Sequence, residues 1–119
     1  MRIELNGEQV FYSSGSGIPG DQAQTLIFLH GAGFDHSIWV MPARYFARHG
    51  WRVAAVDLPG HGRSTGSLLT SIEQMADWVA QLVDAVSPNQ CASIVGHSMG
   101  SLIAMSAAAR HVDKVTKLA

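Results

Sequence analysis

The amino-acid sequence predicts an α/β protein in which buried parallel strands alternate with helices behind an opening β-hairpin. Three short apolar runs have the length and composition of strands buried on both faces: Thr25–Leu29, Arg52–Val56 and Cys91–Val95. Segments with helical spacing of apolar residues stand between these runs and after the third. This alternation predicts a parallel sheet whose strands are joined by right-handed crossover connections.

An antiparallel hairpin is predicted at the N-terminus. Residues 2–5 and 9–13 alternate in polarity, and Asn6-Gly7 between them is a strong signal for a tight hairpin turn. A loop rich in glycine, serine and proline follows. We therefore divide the chain into a hairpin and loop, residues 1–24, and a core of strands and helices, residues 25–119.

The loop contains Gly15-Ser16-Gly17-Ile18-Pro19-Gly20, whose letters match a dinucleotide-binding fingerprint. Such a site needs a helix directly after the glycines, so that the helix N-terminus faces the pyrophosphate. Here Pro19 and polar residues lead into another strand instead. We interpret the segment as a flexible loop that binds no nucleotide.

Three helices are predicted from their start and stop signals. The first covers Pro42–His49, with proline at the first helical position and Gly50 at the C-terminal stop. The second begins with the capping box Thr70-x-x-Glu73 and carries apolar residues at helical spacing as far as Val86. The third covers Met99–Arg110 and is rich in small apolar residues.

Composition indicates one globular domain of 119 residues. Apolar residues make up 47% and charged residues 14%, which excludes an intrinsically disordered chain. The formal net charge of −1, without basic clusters, excludes a nucleic-acid-binding surface. The sequence shows no secretory signal, no membrane span of ~20 apolar residues and a single cysteine, which cannot form an internal disulfide. We therefore expect a cytoplasmic protein.

The chemistry is predicted to lie in Gly96-His97-Ser98-Met99-Gly100, a Gly-x-Ser-x-Gly pattern between a buried strand and a helix. In that setting the serine sits on a sharp turn whose strained backbone lifts the hydroxyl clear of the sheet. Gly96 and Gly100 allow the strand and the helix to approach closely, because side chains there would collide. Ser98 is the predicted nucleophile, at a helix N-terminus that favours developing negative charge.

Two backbone N–H groups are predicted to stabilise the oxyanion that forms when such a serine attacks a carbonyl. The first belongs to Met99, the residue after the nucleophile. The second should come from His30-Gly31-Ala32-Gly33, which follows the first buried strand at the same sheet edge. We choose Ala32 as this donor, with Gly33 as the second choice.

Three segments together resemble the α/β-hydrolase superfamily of serine esterases, lipases, lactonases and related acyl hydrolases. They are His30–Gly33, Asp57-Leu58-Pro59-Gly60-His61-Gly62-Arg63-Ser64 and Gly96–Gly100, which stand in the family's order. The resemblance implies a structural role for the middle segment and no metal or organic cofactor. It also implies that residues 1–119 form a partial domain. This would be the N-terminal part of an α/β-hydrolase-type sheet, incomplete at its C-terminal side.

The same resemblance implies the chain order serine, acid, histidine, with both partners well downstream of the nucleophile. Only 21 residues follow Ser98. They contain His111 and Asp113, which we reject as triad members because a helix would place His111 roughly 18 Å from the serine. We expect the acid and the base to lie outside this chain, with His30 or His61 as the alternative bases within it.

The other histidines are given no catalytic role. The side chain of His97 should point away from the neighbouring serine. Surface or helix-end positions are expected for the remaining ones, which are His36, His49 and His111.

Two functions stay open from the sequence. The first is hydrolysis of carboxylic esters or related small-molecule acyl compounds through an acyl-enzyme on Ser98. The second is a non-catalytic fragment, or a module that needs a complementary C-terminal piece. A last strand begins at Val115; if it did not dock, the Cys91–Val95 strand would become an edge. We therefore expect self-association through an exposed sheet edge. Because the acid and the base are expected outside this chain, we also expect weak activity of the isolated chain.

Overall fold

A six-stranded mixed sheet organises the chain in a computed structural model that describes residues 1–17, 19–20 and 22–119. The strands and helices in chain order are β1 (Arg2–Leu5), β2 (Glu8–Ser13), β3 (Thr25–Leu29), α1 (Val40–Arg48), β4 (Arg52–Val56), α2 (Ile72–Val86), β5 (Ala92–Gly96), α3 (Met99–Arg110) and β6 (Val115–Leu118). The strand order is β1-β2-β4-β3-β5-β6. Strands β1, β2 and β4 pair antiparallel, and β4, β3, β5 and β6 pair parallel. The predicted hairpin followed by a parallel sheet is confirmed.

Strand β3 lies inside the sheet between β4 and β5, and all five of its residues are buried. Because the three strands are parallel, the loops that follow them meet at one edge of the sheet. These loops are the His30–Gly33 segment, the segment after Val56 and the turn that carries Ser98. The topology therefore brings the three segments singled out in the sequence to one place.

Helices cover the sheet on two faces with separate apolar cores. Side chains of α2 and α3 pack with Ile27, Leu29 and Ile94 on one face. On the other face, α1 packs with Leu26 and Phe28. The alternation of side chains along a strand explains why neighbouring residues of β3 belong to different cores.

Helix α1 begins earlier than the sequence indicates. A 3-10 turn, His36–Trp39, leads directly into it, and the Asp35 side chain caps this turn by accepting a 2.8 Å hydrogen bond from the Ser37 N–H. Pro42 is consequently the third residue of α1 and not the first. The position is compatible with proline because the first N–H groups of a helix have no intrahelical partner.

The cap of α2 also differs from the prediction. Ser71, not Thr70, is the N-cap, and its side chain accepts a 3.0 Å hydrogen bond from the Gln74 N–H. Thr70 instead donates to the Gln74 side chain through both its N–H and its hydroxyl. Ser71-x-x-Gln74 therefore replaces the predicted box Thr70-x-x-Glu73.

The loop after β2 packs closely against α1. A Cβ atom added to Gly15 would lie 2.4 Å from the Ala43 carbonyl oxygen, and one added to Gly17 would lie 2.6 Å from the Ala47 oxygen. Ile18, within the fingerprint-like segment that we interpret as a flexible loop, lies outside the described residues, as does Asp21. The two glycines thus have a packing role against α1.

Strand β6 docks beside β5, with Val115 opposite Ala92 and Leu118 opposite Ile94. Ala119 closes the pairing by donating to the Ile94 oxygen and accepting from the Gly96 N–H, both at 3.0 Å. In this structure β5 is therefore an interior strand. Among the described residues, no helix combines the length and apolar character that a membrane crossing requires.

Candidate active site

Ser98 occupies the turn between β5 and α3 in the strained geometry that the sequence predicts. It is the N-cap residue of α3, with φ of 58° and ψ of −120°. L-residues rarely adopt positive φ, because the Cβ atom crowds the backbone. The side chain is exposed, and its hydroxyl makes no hydrogen bond to any of the residues that the structure describes.

The glycines on both sides of Ser98 allow the backbone to pass at close range. A Cβ added to Gly96 would lie 2.3 Å from the Gly100 carbonyl oxygen. One added to Gly100 would lie 2.3 Å from the Leu29 oxygen at the end of β3. Both neighbours are backbone atoms that cannot rotate away. Glycine is therefore required at both positions, as the Gly-x-Ser-x-Gly pattern predicts.

The loop after β3 lies directly beside Ser98. A Cβ added to Gly31 would come within 3.2 Å of the Ser98 Cβ and 3.5 Å of the Phe34 ring. His97 extends this contact, because its ring meets the Phe34 ring edge-on at 6.3 Å between centroids. The expected proximity of the His30–Gly33 segment to the serine is confirmed.

The N–H groups chosen as oxyanion donors are unpaired in this structure. Those of Met99, Ala32 and Gly33 donate no hydrogen bond among the described residues. Ala32 and Gly33 are exposed, and Gly31 beneath them is buried. The loop is closed by a 3.2 Å hydrogen bond from the Phe34 N–H to the Gly31 oxygen. The described residues consequently leave these N–H groups without an acceptor.

His30 is fully buried below this loop, and both of its ring nitrogens are engaged. Nε2 accepts a 3.0 Å hydrogen bond from the Leu58 N–H, so the proton must reside on Nδ1, which donates to the Gly31 oxygen at 2.7 Å. Burial, with a smaller effect from nearby His61, holds the pKa of His30 below its usual 6.5. His30 is thus a neutral structural residue, and we discard it as an alternative base.

His61 is the other alternative base, and His111 was rejected as a base from the sequence. His61 stands 5.0 Å from the His30 ring between centroids, and its Nδ1 lies 3.1 Å from the Pro59 oxygen. His111 ends α3, where its Nε2 lies 2.7 Å from a carboxylate oxygen of Asp77 on α2. A helix of this length separates His111 from Ser98 by about 18 Å, which agrees with its exclusion as a base.

His36 was expected at a surface or helix-end position, and it is the first residue of the 3-10 turn, but its side chain is largely buried. Its side chain is 18% exposed and contacts the fully buried Asp57 carboxylate. The Oδ1 atom of Asp57 accepts from the His36 N–H at 2.7 Å and lies 2.8 Å from its Nδ1. Asp57 belongs to the loop signature after β4, but nothing in the local sequence around His36 indicates this partner.

Asp35, His36 and Asp57 are the described residues that could hold a metal ion, with candidate ligand atoms within 4.8 Å of one another. Their carboxylates already accept hydrogen bonds. Asp35 accepts from Ser37, and Asp57 accepts from His36 and from the Arg63 N–H at 2.8 Å. The three residues therefore form part of a hydrogen-bonded network that joins the loop after β3 to the loop after β4.

The curated proteins that this chain resembles include named hydrolases and esterases. The chain is 28% identical over its whole length to the (E)-2-((N-methylformamido)methylene)succinate hydrolase of Acinetobacter baylyi, and it covers 43% of that protein. It is 39% identical over 103 residues to the pimeloyl-[acyl-carrier protein] methyl ester esterase of Neisseria meningitidis, covering 82% of this chain and 36% of the esterase. The chain thus spans less than half the length of these curated relatives.

Solved structures also resemble this chain. A bacterial membrane phospholipase A superposes with a TM-score of 0.87 at 29% identity, over 99% of this chain and 37% of the phospholipase. Est816, an N-acyl homoserine lactone degrading enzyme, superposes with a TM-score of 0.79 at 31% identity, over 97% of this chain and 42% of Est816.

The profile of one family, described as the alpha/beta hydrolase fold, matches residues 24–119. That range runs from just before β3 to the end of the chain and contains every segment that meets at the Ser98 turn. A chain that matches over this range and folds in this way belongs to the alpha/beta hydrolase fold family.

Proposed function

We propose that Ser98 is the nucleophile of a hydrolase that cleaves carboxylic esters or related acyl compounds through an acyl-enzyme. The observation that carries the proposal is the conformation of Ser98, whose exposed hydroxyl stands at positive φ on the strand-to-helix turn. A fold maintains such strain where the surroundings enforce it, and strained residues of this kind concentrate at functional sites. The names of the relatives, a hydrolase and methyl ester esterases, support the same class.

The proposed chemistry has two stages. The Ser98 oxygen attacks the carbonyl carbon while its proton passes to a base, and the carbonyl oxygen becomes an oxyanion held by the N–H groups of Met99 and Ala32. Collapse of this intermediate breaks the bond to the alkoxide, which leaves with the proton from the base. Water then adds to the acyl group in the same manner, releasing the acid and restoring the serine.

The base is proposed to be a histidine outside residues 1–119, supported by an acidic residue. Within the described residues, the Ser98 hydroxyl makes no hydrogen bond to a histidine, and both ring nitrogens of His30 are committed to the backbone. We therefore expect these 119 residues by themselves to turn esters over slowly. A non-catalytic role of the isolated chain is the second candidate, and the same missing hydrogen bond favours it.

The surroundings of Ser98 favour a substrate with an apolar group. Phe34, 52% exposed, stands against the loop that touches the serine. An apolar group placed beside the Phe34 ring would leave water together with it, and this contributes about 25 cal/mol per Å² of apolar surface.

Acyl transfer to Ser98 can be tested directly with p-nitrophenyl acetate and peptide mass spectrometry. We expect the acetyl group on Ser98 in preference to Ser101, and its loss in Ser98→Ala but not in the matched control Ser101→Ala. The acetyl-serine should persist, because deacylation needs the same base. Turnover should exceed the uncatalysed hydrolysis in water by no more than ~10³–10⁴-fold, which is the acceleration that remains without a complete triad.

One result would contradict the proposed nucleophile, and another would contradict the proposed location of the base. Acetyl groups distributed over exposed lysine and serine side chains, with no change in Ser98→Ala, would exclude Ser98 as the nucleophile. Fast turnover that depends on Ser98 would confirm the nucleophile but place the base within these residues, with His61 as the first candidate.

A further inference from the structure

Asp57 carries a buried carboxylate that is satisfied by N–H donors from two loops. Its side chain has no solvent exposure. One oxygen accepts from the His36 N–H at 2.7 Å and faces the His36 Nδ1 at 2.8 Å, and the other accepts from the Arg63 N–H at 2.8 Å. An ionised carboxylate can only accept hydrogen bonds, so the His36 Nδ1 must carry a proton.

The chain also packs closely on this carboxylate at Gly62. A Cβ on Gly62 would lie 2.4 Å from the second oxygen of Asp57, so the chain packs directly on the carboxylate. The His36 ring is held from the side by Phe11, with 4.8 Å between ring centroids. The orientation of the His36 ring is therefore fixed, and its Nδ1 faces Asp57 as a hydrogen-bond donor.

Two contacts of this kind fasten the loop that follows β3. At its start, the buried His30 accepts from the Leu58 N–H. At its end, His36 donates to Asp57. Residues 31–35 lie between the two fixed points, and they include Ala32 and Gly33, whose N–H groups are unpaired.

We propose that the His36–Asp57 pair positions the 31–35 loop, so that it holds the N–H groups of Ala32 and Gly33 in place for the oxyanion. The inference rests on the proposed function, because it assigns those N–H groups the role of oxyanion donors. His36 acts here through the loop as a positioning residue and does not touch the substrate.

The physical reason is preorganisation. Donors that are already aimed at the developing charge need no rearrangement during the reaction, and the loss of one donor typically costs ~10²–10³ in rate. A displacement of about 1 Å can cost ~10²-fold. Ala32 and Gly33 in the middle of this loop are exposed, and the pair supplies a buried anchor at the far end of the loop.

The test uses three substitutions of His36 that differ in where they place an N–H donor. Asparagine carries Nδ2 on the Cγ atom, where histidine carries Nδ1, and so can reach Asp57. Glutamine places its donor one bond further out, and leucine has none. His111→Leu is the matched control, since it removes a histidine–aspartate contact of similar length on the α2–α3 surface.

Two measurements test the role of the His36–Asp57 pair separately from the proposed function. Backbone NMR order parameters and amide exchange report whether the Ala32 and Gly33 N–H groups stay ordered, and the rate of Ser98 acetylation by p-nitrophenyl acetate reports their use. We expect His36→Leu and His36→Gln to loosen both amides and slow acetylation about 10- to 100-fold. His36→Asn and His111→Leu should retain wild-type order and rate.

Ordered amides and an unchanged rate in His36→Leu would overturn the inference, as would a loss in His36→Asn as large as that in His36→Leu. If wild-type Ser98 is not acetylated at all, the proposed function fails, and the NMR comparison still decides whether the pair orders the loop. Urea unfolding of each variant confirms that the folded state is being compared. The asparagine and glutamine variants keep a polar side chain at this half-buried position, should the leucine variant fold poorly.

Discussion

The backbone of Ser98 has a cost in free energy that the rest of the turn does not relieve. Its φ of 58° and ψ of −120° lie in a region that residues with a Cβ rarely adopt, and such positions cost roughly 1–3 kcal/mol. The close packing of Gly96 and Gly100 leaves no room for the chain to relax around it. The strain and the exposure of the hydroxyl are therefore consequences of one local geometry.

This strain predicts that Ser98→Gly is more stable than Ser98→Ala by about 1 kcal/mol, since glycine relieves the positive φ but loses roughly 0.5–1 kcal/mol to its greater chain entropy when unfolded. Both variants lack the hydroxyl, so the difference isolates the backbone. Urea unfolding of the two proteins measures it. A glycine variant that is no more stable than the alanine variant would show that the turn is not strained.

The residues of the candidate site differ in how visible they are in the sequence. Ser98 and its glycines form a contiguous pattern, because one sharp turn sets the requirements for all of them. The partner of Asp57 is His36, 21 residues away, and the choice of that partner depends on how two loops meet in space. A contact of this kind leaves no local signature, and a lone histidine in a loop therefore suggests a surface position.

At the scale of elements, the strands were predicted more closely than the helix ends. Strand positions follow from apolar runs several residues long, so an error of one residue at either end still leaves the strand correctly placed. A helix start depends on which of two neighbouring side chains captures the first free N–H groups. Ser71 does so for α2, although Thr70 stands beside it with similar chemistry. For α1, the capped 3-10 turn after Asp35 moves the start ahead of Pro42.

The corrected cap gives a prediction at this scale. Ser71→Ala should destabilise the protein by about 1 kcal/mol, because the Gln74 N–H loses its acceptor at the helix N-terminus. Thr70→Ala should change stability by less than about 0.5 kcal/mol, because its hydroxyl bonds only to the exposed Gln74 side chain. Chemical unfolding of both variants makes the comparison. An equal loss of stability in both variants, or a larger loss in Thr70→Ala, would indicate that Thr70 is the N-cap.

At the scale of the whole molecule, the sheet is covered unevenly. Helices α2 and α3 lie over one face, and α1 covers part of the other. Next to α1 lies a hollow of about 290 Å³ bounded by β3, β5 and β6, and its apolar lining includes Leu26, Phe46, Trp51, Val95, Leu118 and Ala119. The expectation that β5 would be an edge applied only if the last strand failed to dock. In this structure β6 docks and takes the edge position.

We predict that the 119-residue chain associates with itself through this edge and the adjoining hollow. Strand β6 is four residues long and mostly exposed, and the outer side of an edge strand presents N–H and C=O groups to which another chain can pair. Lys117 opposes such pairing by its charge, so we expect a reversible, concentration-dependent equilibrium. Apolar surface that stays exposed in the hollow favours the associated state.

Sizing chromatography over a range of concentrations, with a dye that reports exposed apolar surface, measures this equilibrium. Leu118→Lys should shift it towards monomer and reduce dye binding, because it places a second charge on β6, at a side chain that is 44% exposed and lines the hollow. Met105→Lys is the control, since Met105 is 57% exposed on α3, which packs on the opposite face of the sheet. A wild-type chain that elutes as a dye-negative monomer at every concentration would refute the prediction. A shift of the equilibrium towards monomer in Met105→Lys alone would indicate that the chains associate through the α3 surface.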